Sequence, residues 1–237
     1  METILIHHGV LGMRWGVRRT ENELGKQSLT NAKSANLNSW GKDADHNILY
    51  ITGYSGSGKS TIAKSLANNK TNVIHLDTYF EKLDSNVAAS FNDKEFNAFL
   101  QKNFSDYSKV SKLGDMSNNS KEKWKIVDGF MDQTEKFSAA QFKKGKRVIV
   151  EGIQLSDETT YPDKSFFKGK PLIITGTNPI SSFIRANKRD GRSSVMSIQA
   201  AKEYVQRYAN MHKNLNTLSQ TVDIETGKNW VKGYVGF

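Results

Sequence analysis

Eight consecutive residues, Gly53-Tyr54-Ser55-Gly56-Ser57-Gly58-Lys59-Ser60, fit the spacing G-x-x-x-x-G-K-[ST] without a mismatch. This spacing suits the cradling of phosphate groups. Glycines permit positive φ, so successive backbone N–H groups can turn inward around an anion, and a helix starting at the loop directs its positive dipole end there. Lys59 would reach the β- and γ-phosphates of a nucleoside triphosphate, the Ser60 hydroxyl would ligate the Mg²⁺ that such a nucleotide carries, and Thr61 continues the loop into the helix. A nucleoside triphosphate carrying Mg²⁺ is therefore the expected ligand. An ordinary Gly/Ser turn is the weaker reading, because the loop lies between a strand and a helix as the chemistry demands. Tyr54 reads as a packing residue more than as a base-stacking one.

The elements that must position this loop are legible on either side of it. Asn47–Gly53 is a short β-rich run, and the apolar spacing after Gly58 is helical. Three further short apolar runs follow, over 72–76, 147–150 and 171–175, ending at Asp77, at Glu151-Gly152 and at Gly176. Such runs, separated by helical or loop segments, predict an α/β fold: an open, mainly parallel sheet sandwiched by helices. Carboxylates at the carboxyl ends of these strands fall in the crevice where open α/β sheets place ligands. Asp77 could accept the proton of an attacking hydroxyl; its alternative is a helix N-cap. Glu151 could hold a Mg²⁺-bound water or touch substrate, with a structural hydrogen-bonding role equally open. Arg185, Arg189 and Arg192 lie at steps of four and three, so one helical face can present three guanidinium groups to transferring phosphates; a solvated basic face is the alternative.

Four segments in order, GYSGSGKST, HLDTYF at 75–80, VIVEGIQL at 148–155 and RANKRDGR at 185–192, resemble those of the P-loop small-molecule kinases, within them the uridine kinase and phosphoribulokinase-like branch. The resemblance spans about residues 47–192. It implies a P-loop NTPase fold of the nucleoside/nucleotide kinase type. It also implies Asp77 as catalytic base beside Tyr79 and Phe80, a third strand ending in Glu151-Gly152, and a lid helix carrying Arg185, Arg189 and Asp190. The region between the second and third strands lacks the Pro- and Asp-bearing sequence expected for nucleoside binding. The expected activity is transfer of the γ-phosphoryl group of ATP to a hydroxyl of a small molecule, with a nucleoside as the leading acceptor. A virion-associated nucleotide-binding protein with a structural or regulatory role and a polynucleotide 5′-kinase are the rivals.

At 237 residues the chain holds one full domain and a short appendage. Residues 1–45, rich in Asn, Ser, Lys and Gly, read as a tail or linker, and 46–237 as the kinase-like domain. Asp93–Phe104 reads as helical, Ser117–Lys125 as a polar stretch of a mobile loop, Ile198–Leu218 as one long helix, and Thr221–Ile224 as a weak fifth strand. The absence of cysteine removes disulfides, thiolate metal sites and a cysteine nucleophile, and suits a cytoplasmic setting. No run approaches eighteen apolar residues, so a membrane span is not expected. The net charge of +10 favours anionic substrates, with nucleic acid open but not favoured. Residues 7–19, HHGVLGMRWGVRR, resemble a short motif at the ends of head- or capsid-associated proteins of tailed bacteriophages. That resemblance implies a phage-encoded protein, in the host cytoplasm or on the virion. Trp15 and its flanking arginines suit docking to a particle or protein partner. Metal binding by His7 and His8 is disfavoured, since adjacent side chains on an extended chain point apart.

Overall fold

A computed structural model describes residues 33–80, 93–117, 120–155 and 167–175, with short stretches at 3–4, 182, 185–187 and 196–197. The strands are β1 (Thr3–Ile4), β2 (Lys33–Ala35), β3 (Ile48–Thr52), β4 (Thr71–His75), β5 (Arg147–Glu151), β6 (Leu172–Ile174) and β7 (Met196–Ser197). The helices are α1 (Lys59–Leu66), α2 (Asp77–Phe80), α3 (Lys94–Asn103), α4 (Tyr107–Val110) and α5 (Lys121–Phe142). Five strands form one mixed sheet in the order β2-β6-β3-β5-β4, in which only β2 runs antiparallel; β1 and β7 pair separately. The fold is α/β.

Every residue of β3 is buried, as a strand covered on both faces must be. Alternate side chains divide between two cores. Leu49, Ile51, Ile149 and Ile173 meet Ile62, Ala63 and Leu66 of α1 together with Leu37 and Trp40. Ile48, Tyr50, Val148, Val150, Leu172 and Ile174 meet the aromatic layer of Tyr79, Phe80, Phe96, Phe130 and Phe137 on the opposite face. Helix α1 buries Lys59, Ile62, Ala63 and Leu66, an i, i+3, i+4, i+7 stripe. Helix α5 buries a longer stripe of the same kind from Lys123 to Gln141 and starts on Ser120, whose hydroxyl accepts from the Lys123 amide at 3.3 Å.

Two expectations change. The polar stretch 117–125 is not wholly loop, because Ser120 caps α5 and Lys121–Lys125 form its first turns. Residues 33–45, placed by composition in the tail, belong to the sheet unit: β2 pairs with β6, and Leu37 and Trp40 are buried. The Trp40 indole donates to the Asn47 carbonyl at 3.2 Å, and the Arg147 guanidinium lies 5.2 Å from its ring centroid. The packed unit thus begins by Lys33. Helix α3, with Asp93 accepting from the Phe96 amide at 2.8 Å and Phe104 closing it, matches the reading of 93–104. The expected helix 198–218 and strand 221–224 lie outside the described residues. Among the described residues no helix is long and apolar enough to cross a membrane.

Strand order also locates a crevice. From β3 the chain moves two places along the sheet to β4, and from β5 two places the other way to β6. Right-handed crossovers running in opposite directions must leave on opposite faces. They do so here, with α1 on one face and Leu155 and Phe167 of the β5–β6 connection on the other. The carboxyl ends of neighbouring β3 and β5 therefore part at a switch point, the place where open α/β sheets hold ligands.

Candidate functional site

The loop 53–58 leaves β3 at that switch point and turns directly into α1. Gly53, Gly56 and Gly58 all have positive φ. At Gly53 a side chain would collide with the Thr175 hydroxyl, and at Gly56 with the Ser182 carbonyl oxygen. Close approach and backbone conformation both demand glycine at these two positions. Ser57 is buried and hydrogen-bonds the Thr175 hydroxyl, which in turn lies 3.1 Å from the Thr52 carbonyl oxygen. Thr175, closing β6, thus props the loop from the adjacent strand. Tyr54 is half-buried against the aromatic core, as its packing role requires.

Lys59 and Ser60 open α1. Lys59 is 7% exposed, and its ammonium donates to the Tyr54 carbonyl across the loop at 3.3 Å. The Ser60 hydroxyl donates to Glu151 Oε1 at 3.0 Å. Glu151 ends β5 and is 2% exposed. Its Oε1 also takes Nδ1 of His75, the residue opposite it in the β4–β5 ladder. Its Oε2 is buried with no hydrogen-bond partner among the described residues. Burial pushes the Glu151 carboxyl up, but the His75 hydrogen bond, the nearby Lys59 charge, the His75 charge and the Ser60 hydroxyl outweigh it and hold the group below the usual carboxylate range. It is an anion beside the loop.

Asp77 begins α2, two residues beyond His75. Its Oδ1 is buried and without a partner among the described residues. The same holds for the neighbouring Thr78 hydroxyl. Buried polar atoms in folded proteins nearly always have partners, so a half-buried carboxylate aimed at none is suited to an incoming donor. Beyond β6 the chain returns to the loop, where Ser182 and the Ala186 amide flank Gly56. Arg185 is exposed in that returning segment, while Arg189, Asp190 and Arg192 lie outside the described residues.

The structure thus brings Lys59, Ser60 and Glu151 together and puts Asp77 at the same sheet edge. Sequence reasoning passed over His75 and Thr175 as site residues. Their available signal was position, each being a polar residue at the carboxyl end of a strand, directly after apolar residues. Among the described residues no group of three or more His, Cys, Asp or Glu side chains could hold a metal ion by itself. The donor set is one hydroxyl and one buried carboxylate with a vacant oxygen, which fits Mg²⁺ brought in on phosphates, since that ion takes one or two protein ligands and keeps the rest as water and phosphate oxygens.

The chain is thus an α/β protein whose glycine-rich loop 53–58 lies at a sheet switch point. Among known proteins, a family of unknown function (DUF7211) matches residues 1–22, ahead of the sheet. No curated protein and no solved structure matches the chain.

Proposed function

We propose that this chain is a Mg²⁺- and ATP-dependent phosphotransferase of the P-loop kinase type, acting on a hydroxyl of a small molecule, with a nucleoside as the leading acceptor. The observation that carries this reading is the juxtaposition of Lys59, Ser60 and anionic Glu151 at the β3/β5 switch point, beneath a loop in which Gly53, Gly56 and Gly58 all take positive φ. The loop amides and the start of α1 hold the β- and γ-phosphates, and the Lys59 ammonium balances their charge. Ser60 and Glu151 would hold Mg²⁺, which would supply charge neutralisation to the phosphates. Asp77 takes the proton of the acceptor hydroxyl as its oxygen forms the bond to the γ-phosphorus and the bond to the β–γ bridging oxygen breaks, releasing ADP. Arg185, Arg189 and Arg192 serve the transferring and departing phosphates. Their support is the contact of residues 182 and 186 with Gly56.

The family match over 1–22 ends before β2, which supports reading residues 7–19 as a separate docking segment for a particle or protein partner, in a cytoplasmic or virion-associated setting. The deciding experiment incubates the chain with γ-labelled ATP, Mg²⁺ and a panel of nucleosides, sugars, vitamins and 5′-hydroxyl oligonucleotides. Label on a small molecule is the expected result. Label on oligonucleotides alone would move the acceptor to a polynucleotide, and ATP binding without transfer would make the domain a nucleotide-binding module.

A further inference from the structure

His75 is a buried polar residue that phosphate binding does not itself require. It is 7% exposed at the end of β4, and its backbone is locked in register opposite Glu151. The Leu76 amide adds a bond to the Glu151 carbonyl at 2.8 Å, so the two main chains are tied where the side chains meet. Both donors that reach the Glu151 carboxylate, His75 Nδ1 and the Ser60 hydroxyl, use the same oxygen, Oε1. The other oxygen is left buried and without a described partner. With two lone pairs on each oxygen, a buried carboxylate held by Ser60 alone could rotate to offer either oxygen to Lys59 or to Ser60. The imidazole removes that freedom.

We propose that His75 is a positioning residue for the divalent cation that accompanies the nucleotide: by sharing Glu151 Oε1 with Ser60, it keeps Oε2 turned out as the oxygen offered to the metal or its water. The inference rests on the phosphate-loop reading above. Partners that orient a metal-binding carboxylate typically govern ten- to a hundredfold in metal affinity. His75 has no direct contact with phosphate to make, so its removal should touch the metal-dependent part of nucleotide binding alone.

The test is calorimetric titration of the full chain with ATP, once with Mg²⁺ and once with EDTA, for the wild type, H75L and H75N. The ratio of the two dissociation constants reports the metal's contribution. In H75L that ratio should fall by about tenfold or more, while metal-free ATP affinity stays within about threefold. H75N, whose side-chain amide can donate from nearly the Nδ1 position, should restore most of the ratio. Should H75L fail to fold, H75A gives the same comparison. An unchanged ratio in the donor-free variant, or equal weakening with and without Mg²⁺, would leave His75 a packing residue and overturn the inference. A wild-type chain that binds no ATP under either condition would remove the proposed function, and this inference with it.

Discussion

Asp77→Asn separates chemistry from architecture, because the structure predicts opposite outcomes for the two. The substitution keeps size and shape and deletes a negative charge. Asp77 Oδ1 has no partner among the described residues, so no hydrogen bond to them is lost at that oxygen. Relief from desolvating a half-buried, unpaired carboxylate stabilises by up to about 1 kcal/mol, and loss of a negative charge in the first turn of α2 costs about 0.3–1 kcal/mol. The two nearly cancel, so stability should stay within about 1 kcal/mol of wild type. Transfer should fall by about 10²–10⁴, the worth of a positioned general base and about 2.7–5.5 kcal/mol of barrier. ATP affinity should be nearly unchanged, since the loop is untouched. The measurements are single-turnover transfer from γ-labelled ATP, thermal unfolding and ATP calorimetry on one preparation. Transfer within about threefold of wild type would remove Asp77 from the reaction, because a general base cannot be replaced by an amide at so small a cost.

Lys59→Met retains the buried stem but not the ammonium, so turnover should drop at least about a hundredfold with the fold intact in circular dichroism; near-normal turnover would refute the phosphate-loop assignment. Deleting residues 1–32 should leave a domain that melts close to the full chain. Deleting 1–45 removes β2, Leu37 and the 4%-exposed Trp40, the last alone worth about 3–5 kcal/mol, and should leave the domain unfolded or aggregated at the temperatures where the shorter deletion is folded. Because the folded-state value of Glu151 lies below its ordinary 4.5, its ionised form contributes stability that is complete above that value and drains as pH falls through the depressed one. The wild-type advantage over E151Q in chemical denaturation should therefore be flat at neutral pH and shrink under acid; a gap that widened as pH fell would contradict the network. Gly56→Ala, forced to positive φ against the Ser182 carbonyl, should cost more than about 1 kcal/mol and weaken ATP binding in parallel, read by melting and calorimetry.

Much of the domain was legible because its signals are local. The loop is a contiguous pattern, and β3, β4, β5 and β6 each centre on a short apolar run beside turn residues, so their positions and their layered α/β class follow from one stretch of chain at a time. Lys59 and Ser60 were named by spacing alone. Helix α5 was harder to see, since its buried stripe includes Lys123, Thr134, Ser138 and Gln141, and polar residues at core positions blur the period. The edge strand Lys33–Ala35 has no apolar run at all; it is a strand because β6 supplies its hydrogen bonds.

Local pattern alone places the glycine-rich loop 53–60, the strands that flank it, and two acidic residues, Glu151 at the end of β5 and Asp77 just past the end of β4. Tertiary packing sets that His75 and Glu151, 76 residues apart, face each other, that Glu151 Oε1 is taken while Oε2 and Asp77 Oδ1 are buried without partners among the described residues, and that Thr175 and Ser182 close around the loop. The reason is that strand order and register are properties of pairs of segments. Hydrogen bonding between β4 and β5 sets which residues stand opposite, and no periodicity within either strand encodes its partner.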